Sequence, residues 1–240
     1  MTNRGVEMVS VICCYNKAEE YAAMRKTLET QSVSWELIGV DNRSQRFSSA
    51  AAALNWGAEQ AQGDILLFLH QDILFLQENS LKELLSGVYQ APGHVIVGLF
   101  GAKHGKEKRF FGDFQVYETL DECCVAMPKK TWEMLRFHET LCDGWHLYVV
   151  ELCLRAQDAG VLICAKNCEI RHLSSGTVDK NYMRTYRKIL STYRNKRWIA
   201  TTCKSMPTSL LYYYGYYAVW CVKKLLFGNY PLLYRIRMKK

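Results

Sequence analysis

The chain predicts an α/β fold with a mostly parallel sheet and helices on both faces, and three observations predict it. Apolar, β-rich runs recur at residues 6–14, 35–40 and 65–69, each followed at once by polar residues. A segment with helical period separates each run from the next, and a crossover helix is what joins parallel neighbours. The third run, Ile65-Leu66-Leu67-Phe68-Leu69, is apolar throughout, as in a strand buried on both faces, and it stops in His70-Gln71-Asp72. Ligands of open α/β sheets bind at the carboxyl ends of the strands, so this polar triplet marks the mouth of a site.

Taken in order, Val6 to Cys14 is the first strand and runs out in Tyr15-Asn16-Lys17. From Ala18 the period is helical, with Tyr21, Met24 and Leu28 on one stripe and glutamates in the first turn. Trp35 to Val40 is the second strand and ends in Asp41-Asn42-Arg43-Ser44. The alanine-rich stretch Phe47 to Gln62 is a helix with sides small enough to lie close on a sheet. Asn79 is expected to cap a helix through Tyr89, with Leu81, Leu84, Leu85 and Val88 as its apolar face. Pro92-Gly93 ends it, Val95 to Phe100 is a strand, and Gly101 to Gly112, basic and glycine-containing, reads as a mobile loop.

Leu120 to Met127 reads as a strand, and Pro128 opens a helix carrying Trp132 and Leu135. After a turn at Asp143-Gly144, a helix over Trp145 to Ala159 is closed by Gly160, and Val161 to Ala165 is a strand. Ile170 to Thr177 reads as a polar loop and Asn181 to Lys204 as one very basic helical segment. The domain expectation is a ligand-binding unit over 1–178 and a basic, aromatic helical extension over 179–240.

At 240 residues the chain can bury a full core as one domain with an appendage. A formal net charge of +8 favours anionic partners: a nucleotide, a phospholipid surface or nucleic acid. The ten cysteines do not form a disulfide framework. The adjacent pairs Cys13-Cys14 and Cys123-Cys124 lie in apolar runs, and no Cys-x-x-Cys pair occurs. Met1 to Glu7 is polar and the apolar run after it is too short for a secretory leader. The expected home is the cytoplasm, or the inner face of the cell membrane.

At Val9-Ser10-Val11-Ile12-Cys13-Cys14-Tyr15-Asn16, Val40-Asp41-Asn42-Arg43-Ser44 and Phe68-Leu69-His70-Gln71-Asp72 the chain resembles a known family. It is similar to the inverting family 2 glycosyltransferases of the Rossmann-like GT-A fold. The likeness is to the bacterial branch that carries His-Gln-Asp where others have Asp-x-Asp, and it covers roughly Val6 to Thr177. The resemblance implies a hexosyltransferase that moves a sugar from a UDP-sugar to a hydroxyl of a glycan or lipid-linked acceptor. Cys14, Tyr15, Asn16, Asp41, Arg43, His70 and Gln71 are then the donor-binding residues. Asp72 and His172 would hold Mn²⁺ or Mg²⁺ on the diphosphate, where a cation aids departure of the leaving group.

An inverting transferase also needs a base for the acceptor hydroxyl proton. Aligning Glu151-Leu152-Cys153-Leu154-Arg155 with the family's Asp-Leu-Cys-Leu-Arg puts Val149 where an aspartate normally stands. Glu151 or Asp143 then takes over the role, or the protein is an inactive member serving as a scaffold. A structural Glu151–Arg155 pair at i, i+4 is the plainer reading of Glu151. Asp121 and Glu122, matching the family's strand near the acceptor sugar, are the alternative for a catalytic or acceptor-binding role, and Trp145 and His146 are acceptor-side residues, the indole as a stacking face for a sugar ring.

Leu210 to Val222 holds five tyrosines and Trp220 before Lys223-Lys224, and the chain ends in the basic run Arg235 to Lys240. The run is short for a spanning helix, and its composition suits peripheral contact of 207–240 with an anionic membrane. The alternatives are a helical hairpin packed on its own domain and a homodimer contact. The basic aromatic stretch Tyr182 to Trp198 resembles a strand-tracking surface, but no nucleic-acid motif accompanies it and no nucleic acid is expected.

Overall fold

The computed structural model describes residues 8–91, 93–104, 114–174 and 178–227. The readings that touch Met1–Glu7, Pro92, most of the 101–112 loop, 175–177 and the basic run after Phe227 lie outside these residues. β1 (Val9–Tyr15), α1 (Ala18–Leu28), β2 (Trp35–Asp41), α2 (Ala50–Glu59) and β3 (Ile65–Leu69) follow in the expected alternation. Next come β4 (Ile73–Phe75), α3 (Ser80–Gln90), β5 (Val95–Gly98), β6 (Gly101–Ala102), β7 (Gln115–Val116), β8 (Thr119–Leu120), β9 (Cys124–Pro128) and α4 (Lys129–Leu135). The chain continues through α5 (Tyr148–Asp158), β10 (Leu162–Ala165), β11 (Ile170–His172), α6 (Lys180–Thr192), β12 (Trp198–Ile199), β13 (Met206–Pro207) and α7 (Leu210–Phe227).

Seven strands form the central sheet in the order β2-β1-β3-β9-β5-β10-β7. β1 pairs in parallel with both β2 and β3, β5 pairs in parallel with β10, and β9 and β7 run antiparallel to their neighbours. Side chains alternate across the pleat. Val9, Val11, Cys13, Ile65, Leu67 and Leu69 enter the core under α1 and α3, whereas Ile12, Leu66 and Phe68 enter the core under α2, α4 and α5. A strand covered on both faces has no polar positions, which is why β3 reads as an unbroken apolar run. On one face α2 lies so close to the sheet that a Cβ at Gly57 would stand 2.6 Å from Ile12 Cγ2.

Four expectations are corrected. The second helix begins at Ala50 and not at Phe47, because Ser49 accepts from the Ala52 amide and Asn42 holds both backbone groups of Phe47. Asn79 stands at the start of α3 but its side chain makes no cap; the Gln31 amide oxygen accepts from the Leu81 N–H instead (2.9 Å). The helix expected from Trp145 starts at Tyr148, since Leu147 takes a left-handed conformation (φ 66°) that no helix continues through. The basic helix expected to run to Lys204 stops at Thr192, and β12 pairs with β13 as a short hairpin. Tyr186 fixes that hairpin, its hydroxyl shared between the carbonyl oxygens of Ile199 (2.9 Å) and Lys204 (2.8 Å).

A third core cluster joins α5 to the chain beyond it. Leu147, Val150 and Leu154 pack with Tyr182, Tyr186, Ile189, Met206 and Tyr213. All ten cysteines are free. Among the described residues no helix is long and apolar enough to cross a membrane.

Candidate functional site

The polar triplet after β3 is split between two tasks. His70 and Asp72 turn toward one side, and Gln71 toward the other. The Gln71 side-chain oxygen accepts from the backbone N–H groups of Asn16 (2.9 Å) and Lys17 (3.0 Å), and its amide donates to Asn16 Oδ1 (3.0 Å). It thereby closes the start of α1, whose own cap position, Lys17, offers no side-chain acceptor.

His70 and Asp72 meet His172 because of a contact that the sequence does not reveal. Ile170–Thr177, expected to be a polar loop, contains β11, which pairs antiparallel with β4 and places His172 opposite Ile73. The Leu173 amide then donates to the Asp72 carbonyl and the Ser174 amide to Asp72 Oδ2, each at 3.1 Å. One ligand atom from each of His70, Asp72 and His172 lies within 4.8 Å of the others. His172 Nε2 is 3.3 Å from Asp72 Oδ1 and 3.1 Å from Ser174 Oγ, and the two imidazole rings stand 5.5 Å apart.

The protonation states suit a cation. Burial, and after it the neighbouring His172, pushes the His70 pKa down to about 4, so its ring is neutral. Burial acts to raise the Asp72 pKa, but the His172 and Ser174 hydrogen bonds outweigh it and hold the carboxyl well below the usual range. His70 Nε2 lies 3.2 Å from the Tyr148 hydroxyl, which donates to the Glu122 carbonyl at 3.4 Å. The Tyr148 contact holds the orientation of the His70 ring, as partners behind metal-ligating histidines do, whichever nitrogen carries the proton. Two imidazoles and a carboxylate fit a transition-metal ion such as Mn²⁺ better than Mg²⁺, which favours an all-oxygen shell.

A cavity of about 50 Å³ opens beside the cluster, lined by Cys14, Leu69, His70, Trp145 and Tyr148 among others. Cys14 is a neutral thiol there, its pKa pushed up to about 12 by burial and then by Asp41. Trp145 stands on the rim, 42% exposed. His146 turns instead to Asp179 (3.4 Å) and packs edge-on against Tyr182; burial lowers its pKa against the pull of Asp179. An open cleft of about 410 Å³ near His104, Arg197 and Trp198 shares no residue with the three-donor cluster.

At the neighbouring strand ends, Tyr15 pairs in register with Asp41. Arg43 grips the Asp41 carboxylate with Nε (3.0 and 3.1 Å) and Nη2 (2.6 Å), which pushes the Asp41 pKa down to about 2. Tyr15 stacks on Tyr21 at 4.0 Å, and Gly39 is needed beneath, because a Cβ there would stand 2.3 Å from the Tyr21 hydroxyl oxygen.

The four carboxylates read as base or acceptor ligands fare differently. Glu151 is fully buried, with both oxygens taken by Arg155 (2.8 Å each) and Oε1 also by the Tyr193 hydroxyl (2.6 Å). Asp143 is held by Lys188 (2.7 Å) and Arg184 (3.3 Å); burial acts to raise its pKa, but these cations bring it below the usual value. Neither belongs to the three-donor cluster. Asp121 accepts from Thr202 Oγ1 (2.6 Å) and the Cys123 amide (3.2 Å). Burial acts to raise its pKa, but these bonds, that of Thr202 foremost, hold it below the usual value and keep it ionised. Glu122 is the opposite: burial, and then Asp121, raises its pKa well above normal, and its buried Oε1 has no hydrogen-bond partner among the described residues. Sequence reasoning missed Tyr148, Ser174 and Thr202. No local pattern signals them, since each acts on a residue 78 to 102 positions away.

No protein-family model and no curated protein sequence matches the chain. Solved structures do. The catalytic domain of Drosophila β1,4-galactosyltransferase 7 in complex with xylobiose superposes with a TM-score of 0.52 at 16% identity, over 75% of this chain and 80% of that one. The mannosyltransferase PcManGT of Pyrobaculum calidifontis, with GDP-Man and Mn²⁺, gives 0.53 at 12% identity, over 79% and 64%. TarS of S. aureus, with UDP-GlcNAc, gives 0.52 at 14% identity, over 79% and 67%. The chain has the GT-A fold. In GT-A terms, the three donors stand at the carboxyl end of β3, in the middle of the sheet, and the Asp41–Arg43 pair at the carboxyl end of β2.

Proposed function

We propose that the protein is a metal-dependent, inverting glycosyltransferase that moves a hexose from a nucleotide-sugar of the UDP-sugar class to a hydroxyl of a glycan or lipid-linked acceptor. The observation that carries this reading is the His70–Asp72–His172 cluster at the end of β3 in a GT-A sheet. His70, Asp72 and His172 would hold the cation, with Tyr148 and Ser174 fixing the orientation of the ligands. When bound there, a divalent cation supplies positive charge to the departing nucleoside diphosphate.

The chain's own residues do the rest. Tyr15, Asn16, Asp41 and Arg43 border the nucleoside, with Gln71 keeping the Asn16 loop in place. Trp145 offers a face to the acceptor ring. Of the four candidate carboxylates, Asp121 best suits the base: the Thr202 and Cys123 hydrogen bonds hold it ionised near the His70 corner. The acceptor oxygen forms its bond to the anomeric carbon as the bond to the diphosphate oxygen breaks, and the hydroxyl proton passes to Asp121. The clamped Glu151 and the valine at 149 favour a second reading, a donor-binding scaffold without turnover.

A screen of UDP-sugars for Mn²⁺-dependent transfer or hydrolysis tests both. The parent turns over, Asp72→Ala loses metal-dependent nucleotide binding, and Asp121→Asn keeps binding while kcat falls. Comparable turnover by Asp72→Ala rejects the mechanism, and tight UDP–Mn²⁺ binding without turnover on any acceptor selects the scaffold.

A further inference from the structure

α7 has two faces of different character. Tyr213 is buried and donates to the Met183 carbonyl (2.9 Å), and Tyr217 and Trp220 pack in the same cluster against α6. The opposite face carries Leu211, Tyr214, Val219, Val222, Leu225 and Leu226, all exposed, with Leu211 at 85% and Leu225 at 86%. At 3.6 residues per turn these six fall within an arc of about 140°. No charged residue lies inside that arc; Lys223 and Lys224 fall outside it, and Lys224 rests 5.0 Å over the Trp220 ring.

The charge of the chain divides at Asp179, its last acidic residue. Residues 180–240 carry fourteen lysines and arginines and no aspartate or glutamate, whereas residues 1–179 carry seventeen against twenty-three. An uncharged aliphatic stripe in an acid-free basic segment is complementary to an anionic lipid surface, acyl boundary to stripe and headgroups to cations. A second copy on the same stripe would bring two such cationic segments together, and a nucleic acid would meet the cations but leave the stripe in water.

We infer that α7 lies flat on an anionic lipid bilayer, with Leu211, Val219, Val222, Leu225 and Leu226 inserted and Tyr213, Tyr217 and Trp220 holding the helix to the protein. Of the aromatic residues expected at the lipid, Tyr213, Tyr217 and Trp220 are thus the anchor to the fold, and the exposed stripe is mainly aliphatic, with Tyr214 in it. α6, on which α7 packs, begins beside Asp179, the partner of His146 next to the Trp145 rim. The inference extends the proposed transfer to an acceptor held in a membrane and rests on that reading for its purpose, while its test does not.

Co-sedimentation of the full chain with phosphatidylcholine vesicles, with or without about a third phosphatidylglycerol, reads the contact directly. The expected result is at least about tenfold stronger partition onto the anionic vesicles, weakened by salt. The triple variant Leu211→Gln, Val222→Gln, Leu225→Gln loses about tenfold or more of that partition at an unchanged melting temperature. Leu225→Gln alone moves in the same direction by less. Equal partition of parent and variants overturns the inference, and so does a concentration-dependent dimer in sedimentation velocity that the triple variant dissolves. UDP–Mn²⁺ binding by the same proteins separates the two proposals: vesicle binding without nucleotide binding defeats the transferase alone, and the converse defeats the docking alone.

Discussion

Two glutamates beside α5 meet opposite fates. Glu151, in its first turn, is fully buried and fully bonded: Arg155 four residues on supplies two hydrogen bonds and Tyr193 a third. Glu122 faces the amides that open the same helix, yet burial wins, its pKa climbs far above normal, and one oxygen is left without a partner among the described residues. The difference is the presence of a cation. Where the helix supplies its own arginine the carboxylate is architecture; where burial and a neighbouring carboxylate act instead, the acid is pushed toward its neutral form beside Asp121 and the His70 corner.

The largest effect should fall on chemistry and spare the fold. Asp72→Ala removes the one anionic donor of the cluster, and Mn²⁺-dependent turnover should drop by about 10³-fold or more with little change in melting temperature. Glu151→Ala should do the reverse. Stranding Arg155 costs about 3–5 kcal/mol of stability, visible as a lower melting temperature and urea midpoint. A variant that melts like the parent but does not turn over would make Glu151 the base and dissolve the contrast.

Tyr148→Phe deletes the hydroxyl that orients His70, and Mn²⁺ affinity should fall by about 10- to 100-fold in a titration while the fold survives. The smallest effect is the pH response of Glu122. A carboxyl whose folded pKa is raised contributes stability that is complete below its unfolded value, about 4.3, and lost as pH rises through the folded value. Melting temperature of the parent should therefore decline as pH rises above about 4.3, and Glu122→Gln should flatten that decline. Identical pH profiles would mean that the Glu122 acid is not the group that titrates.

The sheet was legible because its signals are local. The unbroken run of β3 and the polar stops after β1, β2 and β3 mark strands and their ends within a few residues. The Glu151–Arg155 pair was likewise readable from a spacing of four. What escaped depends on chain segments far apart. Nothing near Ile170 announces that it pairs with Phe75, so β11 looks like a loop and the setting of His172 stays hidden. The start of α5 was misread because a leucine at positive φ has no sequence signature. The basic segment after Asn181 kept helical propensity beyond Thr192, but tertiary contacts of Tyr186 turned it into a hairpin.

The short β4–β11 ladder has an outcome for the molecule as a whole. It brings together stretches separated by 95 to 99 positions, and the donors it gathers come from both sides of that gap. An ion seated among them would therefore rivet the first half of the chain to the second, since ions that bind the native form alone shift the unfolding equilibrium toward it. Manganese should raise the temperature at which the protein melts even before any nucleotide is added, and chelation should return it.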